Sequence, residues 1–217
     1  MTSAPQFLNS AIVTVPEWMV LKNGRWRSSR LAVRYGAFSH PIGGNCLIDT
    51  GYTERTTKGR RSLFLSAYAA ILRPKLTADA LPKARPDVDT ILLTHMHADH
   101  VSGLRDYPDA RIIARRDGVR SFVEGGAFHR IHHGVFSELL PDNLLARLVA
   151  LEDLPVTDAP LGLGRGFDVF GDGSVLAVDL PGHMLGHVGY VWTRLARPLL
   201  YAADAQWLMR AIREGRS

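Results

Sequence analysis

Short apolar runs separated by turn residues fill the first third of the chain. Ala11–Val15, Leu31–Tyr35 and Asn45–Asp49 read as strands, the third set off by the Gly43–Gly44 turn signal. Between Ser62 and Leu72 the period changes. Leu65, Tyr68, Ala69 and Leu72 recur at helical spacing, which predicts a helix packed on a sheet and ended by Pro74. Thr90–Thr94 is an apolar run without polar alternation, the pattern of a strand covered on both faces. A strand at Arg111–Ala114 and a helix near Asp117–Val123 follow. Leucines at 144, 145, 148 and 151 after Pro141 predict an amphipathic helix over Asp142–Leu151, packed on the core rather than serving as a lid. The last third returns to strands at Asp168–Phe170, Val175–Leu180, Val188–Thr193 and Leu199–Ala203, with a turn at Gly171–Gly173 and a helix over Ala205–Arg213. This order of elements predicts α/β layers in one domain. No internal repeat, low-complexity tract or linker divides the chain.

Composition removes several classes. At 217 residues, 46% hydrophobic and 22% charged, disorder, collagen and coiled coil are excluded as whole-chain answers. A single cysteine, Cys46, excludes an intrachain disulfide, a Cys-cluster zinc site and an iron–sulfur cluster. Met1–Ser10 lacks the features of a signal peptide, and no run approaches the roughly 20 apolar residues of a membrane span. The sequence therefore reads as that of a soluble, cytoplasmic protein with no membrane partner. The net charge of +5 is carried mostly by arginines spread along the chain, knotted only at Arg60–Arg61 and Arg115–Arg116. That distribution reads as a solvated basic surface rather than a nucleic-acid track. The nine histidines are not spread.

Thr94-His95-Met96-His97-Ala98-Asp99-His100 places four potential metal ligands directly after the Thr90–Thr94 strand. His95 and His97, two apart in an extended segment, project to the same side and can grip one cation. Asp99 and His100 fall where the chain turns into a helix expected over His100–Leu104 and can aim at a neighbouring position. Imidazole and carboxylate without thiolate suit zinc, with iron, manganese or cobalt as competitors. Further ligands must come from elsewhere. His183, in Pro181-Gly182-His183, and Asp204 each follow a strand, where α/β proteins place their sites. Alone, His183 would read as structural and Asp204 as a helix cap. Beside the first motif, both become candidate ligands.

Together, Leu47-Ile48-Asp49-Thr50-Gly51, His95-x-His97-x-Asp99-His100, Pro181-Gly182-His183-x-x-Gly186-His187 and Asp204 resemble the metallo-β-lactamase-fold hydrolases, closest in motif to the lactonase and glyoxalase II-like branches. The resemblance runs from Cys46 to Asp204. It implies a four-layer αββα sandwich with two metal ions, expected to be zinc, at one edge. By motif His95, His97 and His183 would hold the first ion, Asp99 and His100 the second, and Asp204 would bridge them. Asp49 would orient a ligand imidazole from behind. His187 would stand behind the ligands or serve as a core histidine.

Two positions depart from the family pattern. In most members a further histidine follows the bridging aspartate after another strand, whereas here no histidine lies beyond His187. The expectation is one domain over residues 1–217 that lacks the last strand and helix of the sandwich. Its second metal would bind more weakly, and it would show exposed apolar surface where the absent elements would dock. His129, His132 and His133 read first as surface or lid residues and second as replacement ligands. The lactonases carry a tyrosine three residues after the bridging aspartate, whereas this chain has Trp207, which cannot shuttle a phenolic proton.

The leading expectation is hydrolysis of a small acyl ester, lactone or thioester by a hydroxide bridging the two metals, with Asp99 orienting the nucleophile and carrying its proton. Phosphodiester hydrolysis, as in the nuclease branches, is the second reading. A catalytically silent one-metal binding module is the third. A serine-hydrolase elbow, a phosphate-binding loop and a dinucleotide fingerprint are all missing from the sequence.

Overall fold

The structure, a computed structural model, describes residues 2–20 and 24–205. Strands β1 (Gln6–Pro16) and β2 (Ser28–His40) form a long antiparallel pair, both longer than the apolar runs that announced them. Hydrogen bonding carries the strands on through the polar positions that alternate with the apolar ones. β3 (Gly44–Ile48) returns antiparallel along β2 but covers only its second half, from Gly36 to His40. β5 (Thr90–Leu92), β6 (Arg111–Ala114) and β7 (Leu148–Ala150) then add in parallel. The short β4 (Lys75–Leu76) pairs with the outer side of β1. The order β4-β1-β2-β3-β5-β6-β7 makes a seven-stranded sheet. β8 (Val156–Asp158), β9 (Arg165–Asp168), β10 (Val175–Asp179), β11 (Val188–Trp192) and β12 (Leu199–Tyr201) form an antiparallel second sheet in the order β12-β11-β10-β9-β8.

The sheets pack face to face. Phe38, Ile48, Leu92 and Ile113 of the first share one core with Val175, Ala177, Tyr190 and Trp192 of the second. Helices cover the other face of the first sheet: α1 (Glu54–Thr57), α2 (Leu63–Leu72), α3 (Ala98–Val101), α4 (Arg116–Val123) and α5 (Ala127–His132). Their buried apolar side chains Leu65, Ala98, Val101, Val119 and Phe122 belong to the core on that side. This is the mixed two-sheet architecture that the motifs imply. Ala205 closes a 3-10 turn (Ala203–Ala205); the rest of the helix expected over Ala205–Arg213, and Trp207, lie outside the described residues. Among the described residues no helix is long and apolar enough to cross a membrane.

The strand expected at Asp168–Phe170 lies earlier, at Arg165–Asp168, and a second expected element is a different structure. The leucines of Asp142–Leu151 do not form a helix; a 3-10 turn at Leu145–Arg147 leads directly into strand β7. Leu148-Val149-Ala150 is also a short continuous apolar run, and parallel pairing with Ile112, Ile113 and Ala114 outweighs the helical spacing. The core-packing reading holds for Leu144 and Leu151, both buried.

Candidate metal centre

The chain leaving β5 is held by β11 of the second sheet before the histidines begin. Tyr190 donates its hydroxyl to the Leu93 carbonyl at 2.9 Å, and the Val188 amide donates to the Thr94 carbonyl at 3.0 Å. The chain therefore leaves the first sheet with the second sheet at its back. His97 remains extended and ends the loop, and α3 starts at Ala98, which carries Asp99 and His100 onto its first turn.

The segment after β3 braces that turn. Asp49 adopts a left-handed conformation (φ 59°), strained for a residue with a side chain but tolerated by aspartate. The Thr50 hydroxyl donates to the His100 carbonyl at 2.8 Å and accepts from the Gly103 amide at 2.9 Å. Gly51, also left-handed, passes so close to Ser10 that a Cβ would lie 2.2 Å from its hydroxyl oxygen. The loop bearing His183 is seated in the same way. A Cβ on Gly186 would stand 2.8 Å from the Cα of Gly118 in α4, so only glycines allow this approach.

These supports bring three imidazoles together. His95 Nε2 lies 2.9 Å from His97 Nδ1 and 3.2 Å from His183 Nε2, and the last two nitrogens are 3.0 Å apart. Nitrogens bound tetrahedrally to one zinc at about 2.05 Å would be spaced about 3.3 Å apart. Asp204 Oδ2 is 3.9 Å from His95 Nε2, 3.5 Å from His183 Nε2 and 3.5 Å from His100 Nε2. Two donor groups result, His95–His97–His183–Asp204 and Asp99–His100–Asp204, each with its ligand atoms within 4.8 Å of one another. Asp204 is the residue common to both.

A hydrogen-bond relay sets which imidazole nitrogens face this space. Thr94 donates its hydroxyl to Asp49, with oxygens at 2.8 and 3.0 Å, and accepts from His95 Nδ1 at 3.0 Å. His100 Nδ1 donates to Asp49 Oδ2 at 2.8 Å. One buried carboxylate thus turns the Nε2 atoms of both His95 and His100 inward, the arrangement that metal-binding imidazoles require. His100 Nε2 is buried and finds no hydrogen-bond partner among the described residues, although Asp99 Oδ2 is 3.6 Å away. An oriented imidazole relay with a buried, unmatched nitrogen between two carboxylates fits a divalent cation.

The protonation of the two groups differs. Burial, reinforced by neighbouring imidazoles, pushes the His95 pKa well below the usual histidine value and that of His97 down to about 3. Burial also lowers His183. At His100 burial acts in the same direction, but Asp49, Asp99 and Asp204 overcome it and raise the pKa well above the usual value. Burial pushes the Asp99 carboxyl up to about 6, against the pull of His100.

The other expected residues are placed as follows. His187 donates Nδ1 to the Leu180 carbonyl at 2.9 Å, and its ring centre lies 5.0 Å from that of His95. His129 stacks on Phe122 and meets Ser121 at 3.1 Å. His132 and His133 line the cavity over the centre but join neither donor group. Sequence reasoning missed Thr94 as the link between Asp49 and His95, although it stands next to the motif. It also missed Tyr52 and Tyr68, whose hydroxyls meet at 2.7 Å in the cavity wall. Tyr68 was read only as a helix-packing position, and Tyr52 carries no signal beyond following Asp49-Thr50-Gly51.

The chain is 32% identical over 117 residues to a hydroxyacylglutathione hydrolase of Pseudomonas entomophila (54% of this chain, 33% of that protein). It is 29% identical over 102 residues to the enzyme of the same name from Halorhodospira halophila (47% and 28%). The match thus spans no more than a third of either relative's length. Among solved structures, a quorum-quenching N-acyl homoserine lactone hydrolase superposes with a TM-score of 0.69 at 17% identity (97% of this chain, 77% of that one). A variant of B. thuringiensis AiiA with N-decanoyl-L-homoserine bound at its active site gives 0.68 at 17% identity (97% and 79%). At such identities the structures speak for the fold alone. The sequence profile of the Metallo-beta-lactamase superfamily matches residues 39–214. A profile match over most of the chain, on a fold shared almost end to end with solved relatives, has one reading: the chain belongs to the metallo-beta-lactamase superfamily.

Proposed function

We propose that this protein is a metal-dependent hydrolase acting on an ester, lactone or thioester of a small acyl compound. The observation that carries the reading is the sharing of Asp204 between two donor groups of different composition. In this reading His95, His97 and His183 hold one cation, Asp99 and His100 hold a second, and Asp204 lies between them. Zinc is the ion best matched to imidazole and carboxylate donors. Such a pair of cations supplies an acidified water and an electrophile for the acyl oxygen.

The chain's own residues do the remaining work. Asp49, through Thr94 and directly, keeps the inward nitrogens of His95 and His100 in place. Asp99 lines the cavity beside the donor groups. Its carboxylate stands beside the position of the nucleophile, and it is assigned the transfer of the nucleophile's proton to the leaving group. The cavity walls exclude bulk water from one side through Val13, Val33 and Leu72. The relatives named above support acyl chemistry, since their names specify a hydroxyacylglutathione thioester and an acyl-homoserine lactone.

The test is metal analysis of protein purified without chelators, combined with a panel of thioesters, lactones, esters and bis-p-nitrophenyl phosphate. About two equivalents of metal with turnover of an acyl substrate is the expected result. One equivalent with no turnover would leave a silent binding module, and turnover of the phosphodiester alone would replace acyl chemistry with phosphoryl chemistry.

A further inference from the structure

A cavity of about 700 Å³ opens over the donor groups, with His97, Asp99, His100 and Asp204 in its floor. Strand β2 divides it. Because β3 pairs with β2 only from Gly36 onward, residues 28 to 35 of β2 pair among the described residues on one side alone, with β1, and their other edge borders the cavity.

Alternation along that segment gives the two faces of β2 opposite character. Odd-numbered positions face the helices: Val33 and Tyr35 belong to the helix-side core, with Leu31 packed against it. This side of the cavity is apolar, lined by Val13, Val15, Leu31, Val33 and Leu72. Even-numbered positions face the second sheet, as Phe38 in the inter-sheet core shows. Past Gly36 that face reads Arg34, Ala32, Arg30, and all three line the cavity together with Tyr201 of β12. Arg34 is close enough to Tyr201 for its charge to act on the phenol. Both side chains are exposed, and neither guanidinium makes a side-chain hydrogen bond or ion pair with any described residue. Two cationic side chains on one face of β2, without an anion among the described residues, thus line the same cavity as His97, Asp99, His100 and Asp204.

Resting on the hydrolase reading above, we infer that the substrate class is an amphiphilic ester or thioester. One end is apolar and lies against Val13, Leu31, Val33 and Leu72. The other bears a carboxylate or phosphate received by Arg30 and Arg34 across the edge of β2. Four residues of strand separate the two arginines by about 13 Å, so together they serve anions at different reach from the centre. A neutral acyl compound would use the apolar lobe alone.

The test compares two thioethers that cannot be hydrolysed, S-hexyl β-mercaptopropionate and its carboxamide, titrated calorimetrically into the metal-loaded protein. The carboxylate is expected to bind about tenfold tighter, one charge-assisted pair at a partly exposed site. The difference should vanish in the Arg30→Gln/Arg34→Gln double variant, which keeps much of each side chain's volume. It should also shrink in about 1 M salt, where the Debye length is about 3 Å. Equal affinity of the two thioethers for the wild-type protein overturns the inference, as does a carboxylate preference that survives in the double variant. The corresponding hexanoyl thioesters keep the two levels apart. Failure to hydrolyse either would count against the hydrolase reading, while the binding difference would still decide the role of the arginines.

Discussion

Three imidazoles, from His95, His97 and His183, make up one side of the centre; on the other, His100 stands among the carboxylates of Asp49, Asp99 and Asp204. Both sides are largely removed from water, and burial alone favours a neutral imidazole on each. On the first side the neighbours are other imidazoles, which add to the effect of burial and leave lone pairs exposed to one another. On the second side the neighbours are carboxylates, and they hold a proton on His100. The lesson is that, at similar depth, the nearest charges decide whether burial or its opposite prevails at a buried donor. The first side is ready for a cation at neutral pH, and the second must give up a proton to accept one.

The largest expected effect tests what the two sides share. Asp204→Ala removes the one carboxylate that faces both. Hydrolysis should fall roughly a thousandfold, beyond the 10–100-fold loss typical of partners that only orient a ligand. Bound metal should drop from about two equivalents to one or less by elemental analysis. Full activity in this variant would break the paired arrangement.

A smaller effect separates the sides. Asp49→Asn disturbs His100 directly and His95 through Thr94, so chelator competition should show both metal affinities weakened, by about 10–100-fold. Thr94→Val keeps the 2.8 Å contact between Asp49 and His100 but removes the hydroxyl that steadies His95. Only the first affinity should then fall, by about tenfold or less. Equal loss on both sides would mean that Thr94 supports the whole loop rather than one imidazole.

How far these sides were legible in the sequence follows from how each part is encoded. The His95-to-His100 segment is local, so strand exit and helix entry can be read from adjacent residues, although the strand ends at Leu92 rather than Thr94 and the helix begins at Ala98 rather than His100. Asp49, His183 and Asp204 are distant in sequence and became candidates only as members of a set. Most strands of the second sheet were legible because alternation and turn glycines are local signals; β9 shares only Asp168 with the expected Asp168–Phe170, and the exposed residues of β8 carry no apolar pattern. The Asp142–Leu151 segment was misread because four leucines satisfy two periods, and only the pairing with β6 chooses between them. The arginines of β2 were not legible at all. Their alternation is plain in the sequence, but their place beside the centre depends on β3 ending short of them.

The smallest effects concern protons, and they sharpen the comparison most. Titrated at pH 7 in buffers of different ionisation enthalpy, the first cation should release almost no protons and the second about one, since His100 holds its proton there. The affinity of the second should therefore fall about tenfold for each pH unit of acidification, while that of the first stays flat. In protein stripped of metal, the same pKa shifts set opposite limbs of the stability profile. The His97 pKa is lowered from 6.5 to about 3 on folding, so its contribution is fully present above pH 6.5 and is lost as the pH falls toward 3. The His100 pKa is raised above 6.5, so its contribution is fully present below pH 6.5 and is lost as the pH rises through the folded value. Denaturant titrations across pH should then show His97→Asn flattening the acid limb and His100→Asn the alkaline limb. Each change is at most one proton in slope, about 1.4 kcal/mol per pH unit. If both variants flatten the same limb, the two sides titrate as one cluster, and the contrast in neighbouring charge does not govern their proton states.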